Sequence, residues 1–434
     1  MPQLAQLPNG LRVLTEPVAG VRSVALGLLV EASPHEDPET RAGLAHLTEH
    51  ALFCGTLTRS ASALSRMMDE AGGQVGGFVT RDYSCYQACV PGDYATYALE
   101  LLGDILLNST VPAESLEREQ QAILREIGLD DDSPVTRVGQ MLKATIWPDH
   151  ALGRTICGQP DSILAATRDD VLGFLGRHYT PDRMILAAAG AVDPDLFLPQ
   201  AEDAFWRLSG HAGTRLSVPC HPQSGCRIET ADVSQAYFAI GLPAGRYTDS
   251  ERYALFVLNS ILGGSLGSRL LQTLRDDTGL VYDISSEVHA YRDAGLLVIQ
   301  GATAPDRLLP VLSLVMQEIV AMADGSRPLD DEELCTARRQ LQGQHLLASE
   351  STHSVMSRLL TQQVYFGRQL PVDEILGSLQ KVTLDDLTGL VETRIVPALE
   401  HAAITALVPS NAIQIEQEIR EFLEVLGCLG RLSP

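Results

Sequence analysis

The chain has no run of eighteen apolar residues, and Met1 to Pro8 carries neither a charged n-region nor an apolar stretch. No transmembrane helix and no secretory leader is therefore expected. The Arg-rich, acidic-poor character of an organelle transit peptide is also missing, so the cytoplasm is the expected location. Basic residues are scarce beside acidic ones, 32 Lys and Arg against 55 Asp and Glu, giving a formal charge of −23. Binding to a phosphate backbone needs a basic footprint, so no nucleic-acid partner is expected. The acidic excess solvates the surface or, where it lines a cavity, favours cationic peptides.

Paired Cys-x-x-Cys spacing is absent. Eight cysteines lie at 54, 85, 89, 157, 220, 226, 335 and 428, in a chain too long to need disulfide staples. Cys85 and Cys89 fall in a strand-like stretch, where residues four apart are roughly 13 Å from each other. That span closes no metal site, and reduced, buried thiols are expected.

What is present begins with 434 residues and 45% hydrophobic content, enough for two or more globular domains. The most informative stretch is His46-Leu47-Thr48-Glu49-His50. On a helix, residues i and i+4 share a face, so His46 and His50 can offer two nitrogens to one metal, and Glu49 lies beside them to serve an attacking water. The order inverts the His-Glu-x-x-His pattern of zinc proteases. Apolar flanks, Ala42 to Ala45 and Ala51 to Phe53, suit a buried helix, and Gly55 supplies a stop.

The chain also reads as built twice. In the first half an apolar strand, Val24 to Val30, leads into helices, then Asp69 to Gly73, a strand from Gly77 to Val90 and a helix from about Tyr94 to Leu107. In the second half Ala236 to Gly241 leads into helices, then Asp276 to Gly279, strands near Val281 to His289 and Leu296 to Gly301, and a helix from about Asp306 to Met322. Such a duplication predicts an α+β fold of two similar domains, each a mixed sheet covered by helices. Gly213, Pro219, Pro222 and Gly225 mark a linker at 213–225, between a domain at 1–212 and another at 226–434.

Two histidines do not complete a catalytic zinc site, which takes three protein ligands. The acidic helix from about Ala113 to Ile127 offers Glu114, Glu117, Glu119 and Glu126, and chemistry alone does not choose among them.

The motif, continued by Phe53-Cys54-Gly55-Thr56, resembles the inverted zinc motif of the pitrilysin and mitochondrial processing peptidase family, the inverzincin peptidases. The likeness extends through Gly72-Gly73, Arg81 to Tyr86, Trp147 to Gly153, Tyr179-Thr180-Pro181, Leu262 to Leu270, and Gly279 to Tyr282. It implies a third ligand on a later helix, some seventy-odd residues on, which is the position of Glu126, and a supporting role for Glu119, seven residues earlier. It further implies that Arg275 and Tyr282 contact the substrate. A guanidinium can clamp a carbonyl, and a phenol can donate to a developing oxyanion.

The resemblance implies a zinc-dependent endopeptidase with Glu49 as general base, acting on unfolded peptides or leader segments. It implies two half-barrels facing each other across a chamber, in a homodimer or in a heterodimer with a related subunit. The alternative is a catalytically silent or partner-dependent subunit of a processing peptidase. Two departures stand out: Gly76-Gly77 replaces the family's Asn-Ala on the substrate-edge strand, and Leu47-Thr48 replaces an aromatic-aliphatic pair.

Overall fold

The computed structural model describes residues 2–213, 218–412 and 415–431, which divide into two compact units. The first unit holds residues 2–128, 155–213 and 345–371; the second holds 129–154, 218–344 and the described residues from 372 onward. These are not the contiguous halves that a single join at 213–225 implies. Each unit takes one stretch from the other half of the chain. Residues 214–217 of the expected linker lie outside the described residues.

The first unit is built on six strands: β1 (Gln3–Gln6), β2 (Arg12–Pro17), β3 (Ser23–Val30), β4 (Gln74–Val79), β5 (Ser84–Pro91) and β6 (Met184–Gly190). Their order is β1-β2-β6-β3-β5-β4, with β2 and β6 parallel and the other pairs antiparallel, which makes the sheet mixed and leaves β4 as an edge. Strand β3 is central, and seven of its eight residues are buried, so it must be covered on both faces. Val24, Leu26, Leu28 and Val30 join a core with Leu44 and Leu47 of α1 (Leu44–Leu52) and with Leu99 and Leu102 of α3 (Ala95–Asn108). Between these helices in sequence lies α2 (Ala61–Glu70), and after them comes α4 (Ala113–Asp132).

The opposite face of β3 carries Ala25, Gly27 and Leu29, as the period of two requires. It is covered by the helix Thr352–Phe366, whose Val355, Met356, Leu359 and Leu360 pack on Leu29, Ile185 and Ala187. A Cβ on Gly27 would sit 2.2 Å from Met356 Sδ and 2.7 Å from Leu360 Cδ1, so any side chain here would force those two residues to shift.

In the second unit the strands are β7 (Gly225–Ala231), β8 (Ala236–Ala244), β9 (Val281–Ala290), β10 (Gly295–Thr303) and β11 (Ala403–Pro409), ordered β7-β11-β8-β10-β9. Strands β7 and β11 are parallel, and the rest antiparallel. This repeats β2-β6-β3-β5-β4 strand for strand, so the duplicated α+β plan expected from the sequence is present. One face is covered by α5 (Pro134–Ile146), whose Val138, Leu142 and Ile146 pack with Ala239, Leu296 and Leu407.

The single strand expected from Gly77 to Val90 is instead a hairpin, β4 and β5. The turn is held by Thr80, whose amide donates to the Tyr83 carbonyl at 2.8 Å and whose hydroxyl accepts from the amides of Asp82 and Tyr83. The cysteines at 54, 85, 89, 157, 220, 226 and 335 form no disulfide, but only Cys54 and Cys85 are buried and the others are half-buried; no described helix is long and apolar enough to cross a membrane.

Candidate metal centre

The histidine pair sits on α1, a buried nine-residue helix packed against edge strand β4. Its start is fixed from outside the helix. Gly43 takes the left-handed conformation, φ +91°, at the N-cap, and the Asp37 carboxylate accepts from the amides of Gly43 and Ala45, both at 2.8 Å. A carboxylate there satisfies otherwise orphaned donors and complements the helix dipole. Asp37 is only 6% exposed, and it holds His46 and His50 in register from a distance no capping-box pattern reveals.

One helical turn apart, the two imidazoles meet edge to face, with ring centroids 4.7 Å apart. Helix α4 brings Glu126 over them. Its Oε2 lies 3.7 Å from His46 Nε2 and its Oε1 lies 3.7 Å from His50 Nε2. Two turns earlier on α4, Glu119 reaches the other side of the second ring, with Oε2 3.1 Å from His50 Nδ1. The Nδ1 proton of His50 is thereby held on Glu119, and the Nε2 lone pair is left to face Glu126.

Glu49 is 6% exposed and stands beside His50, Oε2 to Nε2 3.8 Å. Burial pushes its carboxyl up to about 7, with His50 opposing the rise and Glu126 and Glu119 adding to it. His46 moves the other way. Burial, with His50 beside it, lowers its pKa to about 4, so the ring is neutral at physiological pH.

One nitrogen of each histidine and a Glu126 oxygen lie within 4.8 Å of one another. Around a tetrahedral zinc with bonds of about 2.0–2.2 Å, ligand atoms stand about 3.3–3.6 Å apart, close to the 3.7 Å seen here. His46 Nδ1 is buried without a hydrogen-bond partner among the described residues, unlike His50, whose Nδ1 faces Glu119. The donor set therefore fits zinc.

Strand β4 closes one side. A Cβ on Gly77 would fall 2.2 Å from Glu49 Oε1, so this glycine gives the carboxylate its place, whereas a Cβ on Gly76 meets nothing within 4 Å. Leu47 and Thr48 are wholly buried; Leu47 joins the core, whereas the Thr48 hydroxyl has no hydrogen-bond partner among the described residues. A cavity of about 530 Å³ runs on from Glu49 and His50, past Phe53, Met68 and Val75, to Ser115 and Arg118.

The structure thus brings together His46, Glu49, His50, Glu119 and Glu126 within the first unit. Arg275 and Tyr282 belong to the second. Arg275 pairs with Asp276 at 2.8 Å, and Tyr282, the second residue of β9, is 87% exposed.

The family model described as insulinase, peptidase family M16, matches residues 12–160, and that described as the peptidase M16 inactive domain matches residues 165–341. An uncharacterized zinc protease of Streptomyces coelicolor is 33% identical over 393 residues, 88% of this chain and 85% of that one. Another, from Bacillus subtilis, is 33% identical over 387 residues, 88% and 93% of the two chains. Two solved structures share the fold. A peptidase M16 inactive domain from Pseudomonas fluorescens has a TM-score of 0.86 at 20% identity, over 94% of this chain and 98% of that one. A protease from Helicobacter pylori has a TM-score of 0.86 at 18% identity, over 94% and 99%.

Such relatives put the chain in the zinc-peptidase class. It belongs to peptidase family M16.

Proposed function

We propose that the protein is a zinc-dependent endopeptidase that hydrolyses unfolded peptides or leader segments. The observation that carries this reading is the facing of both histidine Nε2 atoms toward the Glu126 carboxylate, with Glu49 buried alongside. His46, His50 and Glu126 would hold the metal. Zinc bound there supplies a Lewis acid that polarises a carbonyl and acidifies water.

The protein's own groups do the rest. Glu49 takes a proton from the attacking water and passes it to the leaving amine, a transfer suited to a carboxyl near neutrality. Glu119 keeps the His50 ring in one tautomer. The substrate adds to β4 as an extended strand, and Gly76-Gly77 lets its backbone come close. Arg275 and Tyr282 supply a guanidinium and an exposed phenol for the substrate carbonyl and its oxyanion. Because one chain carries both sets of residues, a homodimer would need no related subunit; a heterodimer with such a subunit is the alternative.

The test is bound metal measured together with hydrolysis of a mixed library of unfolded peptides, for wild type and Glu49→Gln. Stoichiometric zinc in both, with cleavage only in wild type, is the expected result. A metal-free wild type would overturn the ligand set. Zinc without cleavage in either protein would favour a partner-dependent subunit, the reading that the inactive-domain match over residues 165–341 keeps in view.

A further inference from the structure

Helix α4 carries a cation that the proposed chemistry does not use. Arg118 lines the cavity beside Glu49 and His50, and it also lines a second cavity of about 580 Å³ that runs on past Thr56 and Arg59. The two spaces share Cys54, Ala61, Ser115 and Arg118 in their linings, so Arg118 borders both.

Its charge is not spent inside the protein. Arg118 makes one hydrogen bond, Nη2 to the neutral Ser115 hydroxyl at 2.8 Å, and no ion pair joins it to a carboxylate among the described residues. Glu119, its chain neighbour, is turned to His50. Glu114, one helical turn before it, is the partner an isolated helix would favour, yet the guanidinium bends to Ser115 instead. The other arginine of the second cavity, Arg59, is matched by the buried Asp104. Arg118 is solvent-exposed and is the one cation of the two linings without an ion-pair partner among the described residues, while the carboxylates of Glu49 and Glu119 share the first cavity with it.

We propose that Arg118 anchors an anion subsite next to the metal centre, which takes a carboxylate of the peptide substrate, either an acidic side chain or the C-terminus. This preference is opposite in sign to the one the overall charge of −23 suggests. It rests on the peptidase reading above, and it names a chemical class of substrate within it. A guanidinium matches a carboxylate in a two-point, charge-assisted contact that an amide cannot reproduce.

The test uses the full chain carrying Glu49→Gln, so that peptides bind without turnover. Fluorescent ten-residue peptides of one sequence are compared by anisotropy, with Asp or Asn at each position in turn and with a C-terminal acid or amide. The expected result is roughly 10-fold tighter binding of one acidic form than of its amide counterpart, as a charge-assisted contact provides. Adding Arg118→Gln brings that ratio to near one, Arg118→Lys keeps part of it, and unchanged zinc content shows that both variants are folded. The side-chain and C-terminal arms show which carboxylate is read. Equal binding of acid and amide forms, or a ratio untouched by Arg118→Gln, overturns the subsite. If wild type still cleaves the amide peptides in that case, the peptidase reading stands without it; a zinc-loaded wild type that binds no peptide overturns both.

Discussion

Glu119 Oε2 and His50 Nδ1 lie 3.1 Å apart, on the side of the imidazole away from Glu126. The carboxylate fixes which nitrogen carries the proton, and so which one is free for a cation. Glu119→Gln should lower zinc affinity roughly 10-fold to 100-fold while leaving the fold intact. Competition with a chromophoric chelator measures this; unchanged affinity would show that the contact does not orient the ligand.

Asp37 acts one step further out. With Asp37→Ala, the amides of Gly43 and Ala45 lose their acceptor in a buried setting, and the helix bearing both histidines loses its anchor. The expected cost is about 1–3 kcal/mol of stability, accompanied by weaker metal binding. Urea unfolding with and without zinc reads both effects. Asp37→Asn, which keeps one acceptor oxygen, should recover part of the loss.

His178 gives a pH signature away from the metal. Burial lowers its pKa from 6.5 to about 4, with Arg183 and Arg177 opposing protonation further, and its ring lies 4.6 Å from that of Phe174. Between those two values the unfolded chain takes up a proton that the folded chain refuses, so stability falls as pH drops from about 6.5 towards 4. His178→Gln removes this contribution. Melting temperatures across that range should converge on, or pass, those of wild type as the pH is lowered; a constant gap would assign the acid sensitivity elsewhere.

Gly27→Val would drive two methyl groups into Met356 and Leu360, which already stand within contact of any Cβ at that position. Overpacking of this kind costs about 1–3 kcal/mol, and the double variant with Met356→Ala should regain much of it. Thermal melts of the two variants, compared with Met356→Ala alone, give the coupling directly.

The histidine pair was legible because helical periodicity is local, and five residues suffice to place His46 and His50 on one face. Glu126 was not legible by chemistry. It shares an acidic helix with Glu114, Glu117 and Glu119, and only the family resemblance picked it out before the structure set its oxygens against both rings. The β4–β5 turn is faint in the sequence because it is made by the Thr80 hydroxyl, with Asp82 as its one common turn residue and no Gly, Pro or Asn. Asp37 escaped because its partners are set by the path of the chain into α1. The packing of α5 and of helix Thr352–Phe366 escaped for a related reason: an amphipathic helix shows that a face will be buried, not which sheet will bury it.

That exchange of helices bears on how the protein is made. Synthesis runs from the N-terminus, so β3 and β6 exist long before residues 352–366 leave the ribosome, and until then the face holding Ala25, Leu29 and Ile185 stays open to water. The first unit cannot mature as an independent nascent domain. Both units receive their last pieces late in translation, the first with residues 345–371 and the second with β11. A chain that terminates near residue 212 would keep every candidate metal ligand and still expose that surface.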